Sequence, residues 1–582
     1  MPPEEYQMPP ENTASSWDTA PSARFPIYTR LNAADVLPDP LTPLGASLAW
    51  RPHIFPGWAA GYVALDAFRP SELDPAGAAV GGIFYGHLYV NQSSVRVVGI
   101  RAGIGADAID AAFFAHPDAP PHVPHQDDVN EELSERMAAR TQWALTTTSV
   151  PEIEEDQRIA DRVRAERPEL PELSLAALVA RARSMMPIER LMWRGETIGS
   201  NQAAIGPGVI GALVGAADPS LVVRLIGKAG DVDSAAPSYA LWELSREVWA
   251  DPGLTATFDG GVEGLAARID AAHPDFAGRF RGFLREYGYR GPGEWDIGAD
   301  SWETRPELVL ALVDRLRHLD EDASPAARQR RQAEDTQAAM DRALEIVGDD
   351  ETARQTLRTA VASARRFAAF RERGKTNAVK VLHEARVALL EVGRRLHEAG
   401  HLDGPRQVFM ALEHELDGLV AEPQELKETL ARREKEWRSL FGLELPTFID
   451  ANSPLPSLEQ LSSRSDAEHA PARVGEVLRG APASGGVIRG RARVVTDISQ
   501  IAEFEPGEIL VAPQTDPSWT PLFMASAGVV VDTGSMGSHA MIVSRELGIP
   551  CAAGVQDATR RIPTGALVEV DGSTGTVTVL DL

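Results

Sequence analysis

The chain has one cysteine, Cys551, among its 582 residues. No internal disulfide can form, and a reducing compartment is expected. Aromatic residues make up only 6%, and 57 Lys and Arg face 84 Asp and Glu. The net charge of -27 argues against nucleic acid or an anionic membrane surface as a partner. No apolar run approaches the ~20 residues of a membrane span. No basic, apolar leader opens the sequence, so a cytoplasmic location is expected. HExxH and CxxC pairings are missing, so no metal site is predicted. Solenoid repeats are missing too, and so is a GxxxxGK[ST] phosphate loop.

What is present is a soluble composition, 43% apolar and 24% charged, in a chain too long for one core. Residues 1–22 are polar and proline-rich and read as a loose tail. Residues 23–449 read as a mainly helical domain, with a hairpin expected around "GGIFYGHLYVNQ" near its start. Its clearest helix carries Val379, Leu382, Ala385, Leu389, Val392 and Leu396 on one stripe, with Gly400 as the stop. Residues 450–474, rich in Pro, Ser and charge, read as a flexible linker. Beyond them short β-branched runs between Gly turns ("GEILVAP", "AGVVVD", "ALVEVDG") predict a small α/β domain over 475–582.

Inside that domain "VVVDTGSMGSHAMIVSRELGIP" places His539 at a helix start. Val529–Asp532 is a buried-strand run, and Thr533 and Gly534 open a turn. Ser538 is a candidate N-cap, and Gly548 closes the helix. A helix mouth aims free N–H groups at one spot and disfavours an imidazolium. A neutral, nucleophilic ring beside anion-binding donors suits a histidine that accepts and passes on a phosphoryl group. A polar residue near a cap is the plainer explanation.

A second cluster is Arg290-Gly291-Pro292-Gly293-Glu294-Trp295-Asp296, a tight turn between helices. Arg290 is suited to hold a phosphate through its fork. Glu294 or Asp296 is suited to take a proton from an acceptor hydroxyl. A loop knitted by internal ion pairs is the competing explanation. Arg371, Arg373 and Lys375 form a basic cluster, read either as phosphate support or as a solvated helix face. "SMMPIERLMW" reads as core or pocket lining, and Cys551 as inert core.

The segment "TGSMGSHAMIVSRELGIPCAAG", with "TDPSWTPLFMASAGVVVD" before it and "VDGSTGTV" after it, resembles the swivelling phosphohistidine domain of the PEP-utilising enzymes. "PIYTRLNAADVLPDPLTPLGAS", "EYGYRGPGEWDIGADSWETRPELV" and "FRERGKTNAVKVLHEAR" resemble, in order, the substrate domain of the rifampin phosphotransferase branch. The resemblance implies that His539 is the phosphocarrier and that the 290–296 turn faces it. The family's ATP-grasp domain has no counterpart before Pro26. The expectation is therefore a two-component enzyme, similar to the aryl phosphate synthases, whose separate nucleotide-binding subunit holds ATP and Mg²⁺. The expected acceptor is a small aromatic hydroxyl. A rifamycin-type antibiotic or pyruvate is the enzymatic alternative, and a binding module of the same fold the non-catalytic one.

Overall fold

The computed structural model describes residues 17–582 apart from 75–77, 115, 117, 227–235, 462–469 and 535–537. The helical domain is built on α1 (Phe55–Ala64), α2 (Leu175–Gln202), α3 (Ala236–Ala250), α4 (Pro306–Leu316), α5 (Pro325–Val347) and α6 (Glu351–Glu398). Helix α6, 48 residues long, starts on an Asp350 cap that accepts the Ala353 N–H and carries Arg395 and His397 in its last turn. These groups complement the two ends of the helix dipole. The stripe from Val379 to Leu396 is buried, and that face lies along α2. The two helices approach closely at glycines. A Cβ on Gly374 would lie 2.9 Å from Glu196 Cα, and one on Gly199 would lie 3.4 Å from the Arg371 backbone. That crossing fixes the backbone of Arg371 to Lys375.

The helical domain also contains a four-stranded antiparallel sheet in the order β2-β3-β1-β4, made of β1 (Ile27–Thr29), β2 (Gly81–Phe84), β3 (His87–Asn91) and β4 (Phe448–Asp450). The expected hairpin is β2-β3. Its turn residues Tyr85 and Gly86 both have positive φ, 54° and 74°, as a tight two-residue hairpin turn requires. Asp18 accepts both their N–H groups at 2.9 Å.

Two boundaries move. The tail expected over 1–22 is fixed from Trp17 onward, because Trp17, Asp18, Thr19 and Ser22 are buried and Asp18 caps the hairpin. Residues 1–16 lie outside the described residues. The linker expected over 450–474 begins inside β4. Leu455, Leu458 and Leu461 pack on the cluster of Tyr28, Phe84, Tyr89 and Ile449, and Tyr85 donates its hydroxyl to Pro456 O at 2.7 Å.

The C-terminal domain is an eight-stranded mixed sheet, ordered β5-β12-β11-β7-β8-β9-β10-β6. Its strands are β5 (Val477–Arg479), β6 (Ala481–Ser484), β7 (Val487–Val494), β8 (Ile509–Ala512), β9 (Gly528–Val531), β10 (Cys551–Ala553), β11 (Leu567–Asp571) and β12 (Thr576–Asp581). Strands β7 to β10 run parallel. The fully buried β8 and β9 read as continuous apolar runs because both faces are covered. Helices α7 (Thr520–Ala525) and α8 (His539–Leu547) follow β8 and β9. One apolar cluster joins them to the helical domain: Trp519, Phe523 and Met541 share it with Leu241, Leu308 and Leu312. Arg328 of α5 adds a donation to Met524 O at 2.6 Å.

Candidate functional site

The loops leaving the carboxyl ends of β8 and β9 hold His539, the first residue of α8. Gly548 ends this helix in the left-handed region at φ 63°. The imidazole is held from both sides. Nδ1 lies 2.9 Å from Thr515 Oγ1, and Nε2 lies 3.1 Å from Thr520 Oγ1. Phe523 meets the ring edge-on. Burial pushes the imidazole pKa down to about 3; Glu372 opposes this, and Lys375 and Arg290 add to it. The ring is therefore neutral at physiological pH and has one nitrogen lone pair to offer. Ser538 stands at the N-cap position but makes no side-chain cap bond, and its buried Oγ has no partner among the described residues. That hydroxyl, without a partner among the described residues, stands beside an anion-favouring helix mouth. Thr533 braces the neighbouring loop, its N–H and hydroxyl both donating to Pro513 O. Gly534 is closely packed, since a Cβ would lie 3.1 Å from both Ala553 Cβ and Ser538 Oγ. The residues 535–537 of the expected turn lie outside the described residues.

The 290–296 turn faces His539 from the helical domain. A Cβ on Gly291 would collide with Asp300 O, and Gly293 is left-handed at φ 62°. These glycines let the turn close tightly. Arg290 and Glu294 are buried, at 2% and 1% exposure. Arg290 donates to Glu294 Oε1 at 2.9 Å and to Thr376 Oγ1 at 2.7 Å. Glu294 Oε2 is buried with no hydrogen-bond partner among the described residues. Burial raises the Glu294 pKa, and Arg290 opposes the rise. From α6, Arg386 donates to the carbonyls of Glu294 and Asp296 at 2.7 and 2.9 Å.

Asp296 is placed elsewhere than the sequence suggested. Its Oδ2 accepts the Thr42 N–H and its Oδ1 accepts the Thr42 hydroxyl and the Gly298 N–H. A Cβ on Gly45 would collide with it. Both oxygens are engaged in tying the turn to the chain around Thr42, so the structure separates Asp296 from Arg290 and Glu294.

Helix α6 completes the site with Arg371, Glu372 and Lys375. Lys375 Nζ lies 3.5 Å from Glu372 Oε1. Burial alone would raise the Glu372 pKa, but Lys375, Arg371, Arg290 and His539 outweigh it and hold the carboxylate down. Burial and Arg371 lower the Lys375 pKa. Arg373 lies about 200° from Arg371 but about 100° from Glu372 round the helix at 3.6 residues per turn.

Sequence reading missed Glu372, Thr376, Thr515, Asp516 and Thr520. Asp516 Oδ1 accepts the Ser518 N–H and hydroxyl at 2.8 and 2.5 Å, and Oδ2 accepts the Gly293 N–H at 3.3 Å. Burial, with Glu294 nearby, raises the Asp516 pKa to about 7. Trp295 packs on Trp193, which in turn meets Trp50 and Trp58. Met185, Met186 and Met192 lie in this core, as the sequence suggested. So does Cys551 in the other domain, where burial pushes its thiol to about 11.

The fold and the site define a two-domain protein in which a histidine-bearing α/β domain faces a charged surface of a helical domain. Two family descriptions match it: "Rifampicin phosphotransferase fourth domain" over residues 178–372 and "PEP-utilising enzyme, mobile domain" over residues 504–575. An uncharacterised protein of Mycobacterium tuberculosis is 30% identical over 98% of the chain, which spans 64% of that relative's length. Rifampicin phosphotransferases of Streptomyces sviceus and Bacillus subtilis are 32% and 29% identical over 51% and 56% of the chain, and over 34% and 35% of their own lengths. Over these two regions the chain is similar to the rifampicin phosphotransferase fourth domain and to the mobile domain of the PEP-utilising enzymes.

Proposed function

We propose that the chain is the phosphohistidine and acceptor component of an ATP-dependent phosphotransferase. The observation that carries this reading is the pairing of a neutral His539 at a helix mouth with Arg290, Glu294, Arg371, Glu372 and Lys375 on the opposing domain. In the first step a ring nitrogen of His539 attacks a phosphorus of ATP and the nucleotide leaves. ATP and Mg²⁺ are bound by a separate nucleotide-binding subunit in this reading; the sequence has no phosphate-loop motif of its own. In the second step an acceptor hydroxyl attacks the phosphoryl group. The P–N bond breaks, the electron pair returns to the imidazole, and the hydroxyl proton passes to a carboxylate.

Glu294 is the assigned proton acceptor, because Oε2 has no hydrogen-bond partner among the described residues while Oε1 is held by Arg290. Arg290, Arg371 and Lys375 offset charge on the phosphoryl oxygens in the transition state. Thr515 and Thr520 fix the ring plane. The acceptor is a small aromatic, phenol-like hydroxyl. The resemblance to aryl phosphate synthases supports this choice of acceptor; Trp295, Trp193 and Trp50 pack on one another in the core. The matches to rifampicin phosphotransferases favour a second reading, a rifamycin-type antibiotic as acceptor.

The test is transfer from isolated phospho-chain. The chain is charged with labelled ATP and a nucleotide-binding subunit, repurified, and offered phenols, rifampicin and pyruvate. Label passing to a phenol supports the reading. Label passing to rifampicin alone selects the second reading. Label retained against all three, or a chain that is never charged, contradicts both.

A further inference from the structure

We infer that Asp516 is the positioning residue that sets His539 in register with the acceptor loop. This rests on the phosphohistidine reading above and deepens it. Thr515 Oγ1 lies 2.9 Å from His539 Nδ1, and the next residue, Asp516, accepts the N–H of Gly293 from the other domain. Gly293 directly precedes Glu294, whose partner is Arg290. Two adjacent residues on one loop thus bond the histidine on one side and the acceptor turn on the other.

The anchor belongs to the histidine's own domain. Ser518 donates its N–H and its hydroxyl to Asp516 Oδ1, which aims Oδ2 outward whether or not the domains touch. The turn is equally preset. Gly293 holds its left-handed φ of 62°, Arg386 fixes the carbonyl of Glu294, and Asp296 ties the far end to Thr42. At this turn docking joins two preset parts through one directional bond; the bonds from Arg328 to Met524 O and from Gln332 to Arg545 O hold the domains together elsewhere, on α5. The surrounding contact among Trp519, Phe523, Leu308 and Leu312 is apolar and tolerates sliding, because dispersion and burial lack direction. A hydrogen bond weakens steeply with misalignment. The 3.3 Å contact contributes registry more than affinity, and a 1 Å error at a reacting centre costs about 10²-fold in rate.

The experiment uses the full chain with Asp516→Ala and Asp516→Asn. The groups hydrogen-bonded to the carboxylate are all donors, Ser518 N, Ser518 Oγ and Gly293 N, and the Glu294 carboxylate lies near them. Asn supplies one acceptor oxygen instead of two, so it too must leave a backbone N–H unmatched. Hydrogen–deuterium exchange of peptides covering 288–298 should rise by about tenfold in both variants. Charging of His539 should stay within about twofold of wild type. The rate constant for transfer should fall by about 10²-fold with the acceptor KM unchanged, since Asp516 does not touch the acceptor. Ser518→Ala, which frees the carboxylate to swing, should give an intermediate loss and serves if the Asp516 variants fold poorly. Unchanged exchange at 288–298 overturns the inference. So does equal loss of charging and transfer, or a rise in KM alone. A wild-type chain that is never labelled on His539 would sink the phosphohistidine reading instead. The exchange result would still decide whether Asp516 fixes the loop.

Discussion

Arg290 donates to one carboxylate oxygen of Glu294 at 2.9 Å, and the other oxygen is buried with no hydrogen-bond partner among the described residues. A half-paired buried carboxylate is costly to keep, and a structural ion pair would use both oxygens. Glu294→Gln should leave His539 charging intact and slow transfer to the acceptor by about 10²- to 10⁴-fold. Phenols with electron-withdrawing groups need less help from a base and should recover part of the rate. Stopped-flow transfer from phospho-chain across a phenol series measures it. Equal loss with every phenol would assign Glu294 to orientation instead.

Asp296 should behave differently. Its oxygens satisfy Thr42 N, Thr42 Oγ1 and Gly298 N. Asp296→Ala leaves these donors unmatched, at a cost on the order of 1–3 kcal/mol each where water cannot enter. The expected outcome is a lower melting temperature, with residual transfer in proportion to folded protein. A fully stable Asp296→Ala protein with abolished transfer would restore Asp296 as a chemical group.

The two predictions mark how far sequence reading reached. The helix from His539 to Leu547 with its Gly548 stop was legible, because cap, period and stop are local signals. So was the α6 stripe. The acceptor turn was legible as a cluster, but its side-chain directions were not. Arg290 and Glu294 pair with each other, whereas the chain bends so that Asp296 meets Thr42, some 250 residues earlier. Glu372 was hidden between two basic residues that drew attention to themselves. Thr515, Asp516 and Thr520 carry no marked spacing, and only the packing of the β8 and β9 loops brings them to His539. The tail and linker were drawn too long, because composition cannot show that Asp18 caps a hairpin or that Leu455 and Leu458 pack on the small sheet.

The basic cluster splits by which charges act on Glu372. Arg371→Ala and Lys375→Ala should each slow transfer by about tenfold or more, since both charges act on Glu372 beside His539. Arg373→Ala, whose charge is not one of the main ones acting on Glu372, Lys375 or His539, should stay within about twofold. Steady-state transfer rates for the three variants decide it, and equal losses would reduce the cluster to general helix stability.

The pH dependence of stability has a definite sign at Asp516. Burial and Glu294 raise its pKa to about 7, above the unfolded value near 3.9. Between about pH 4 and pH 7 the folded protein therefore holds a proton that the unfolded chain has released. Stability contributed by this group is full below the unfolded value and is lost as pH rises toward 7. Asp516→Asn cannot ionise, so it should gain stability relative to wild type from pH 5 to pH 7, with no further change above about pH 8. Charges such as His539 are common to both proteins and cancel in the difference. Paired thermal melts measure this, and a constant offset across the range would contradict it.

The central claim is that His539 carries the phosphoryl group. Its most direct measurement is mass spectrometry of the chain after incubation with ATP, Mg²⁺ and a nucleotide-binding subunit, with the label traced from the β and γ positions. The account predicts one acid-labile, alkali-stable phosphoryl group on the peptide containing His539, absent from His539→Ala. A stable label on another residue, or the same label persisting in His539→Ala, would contradict it.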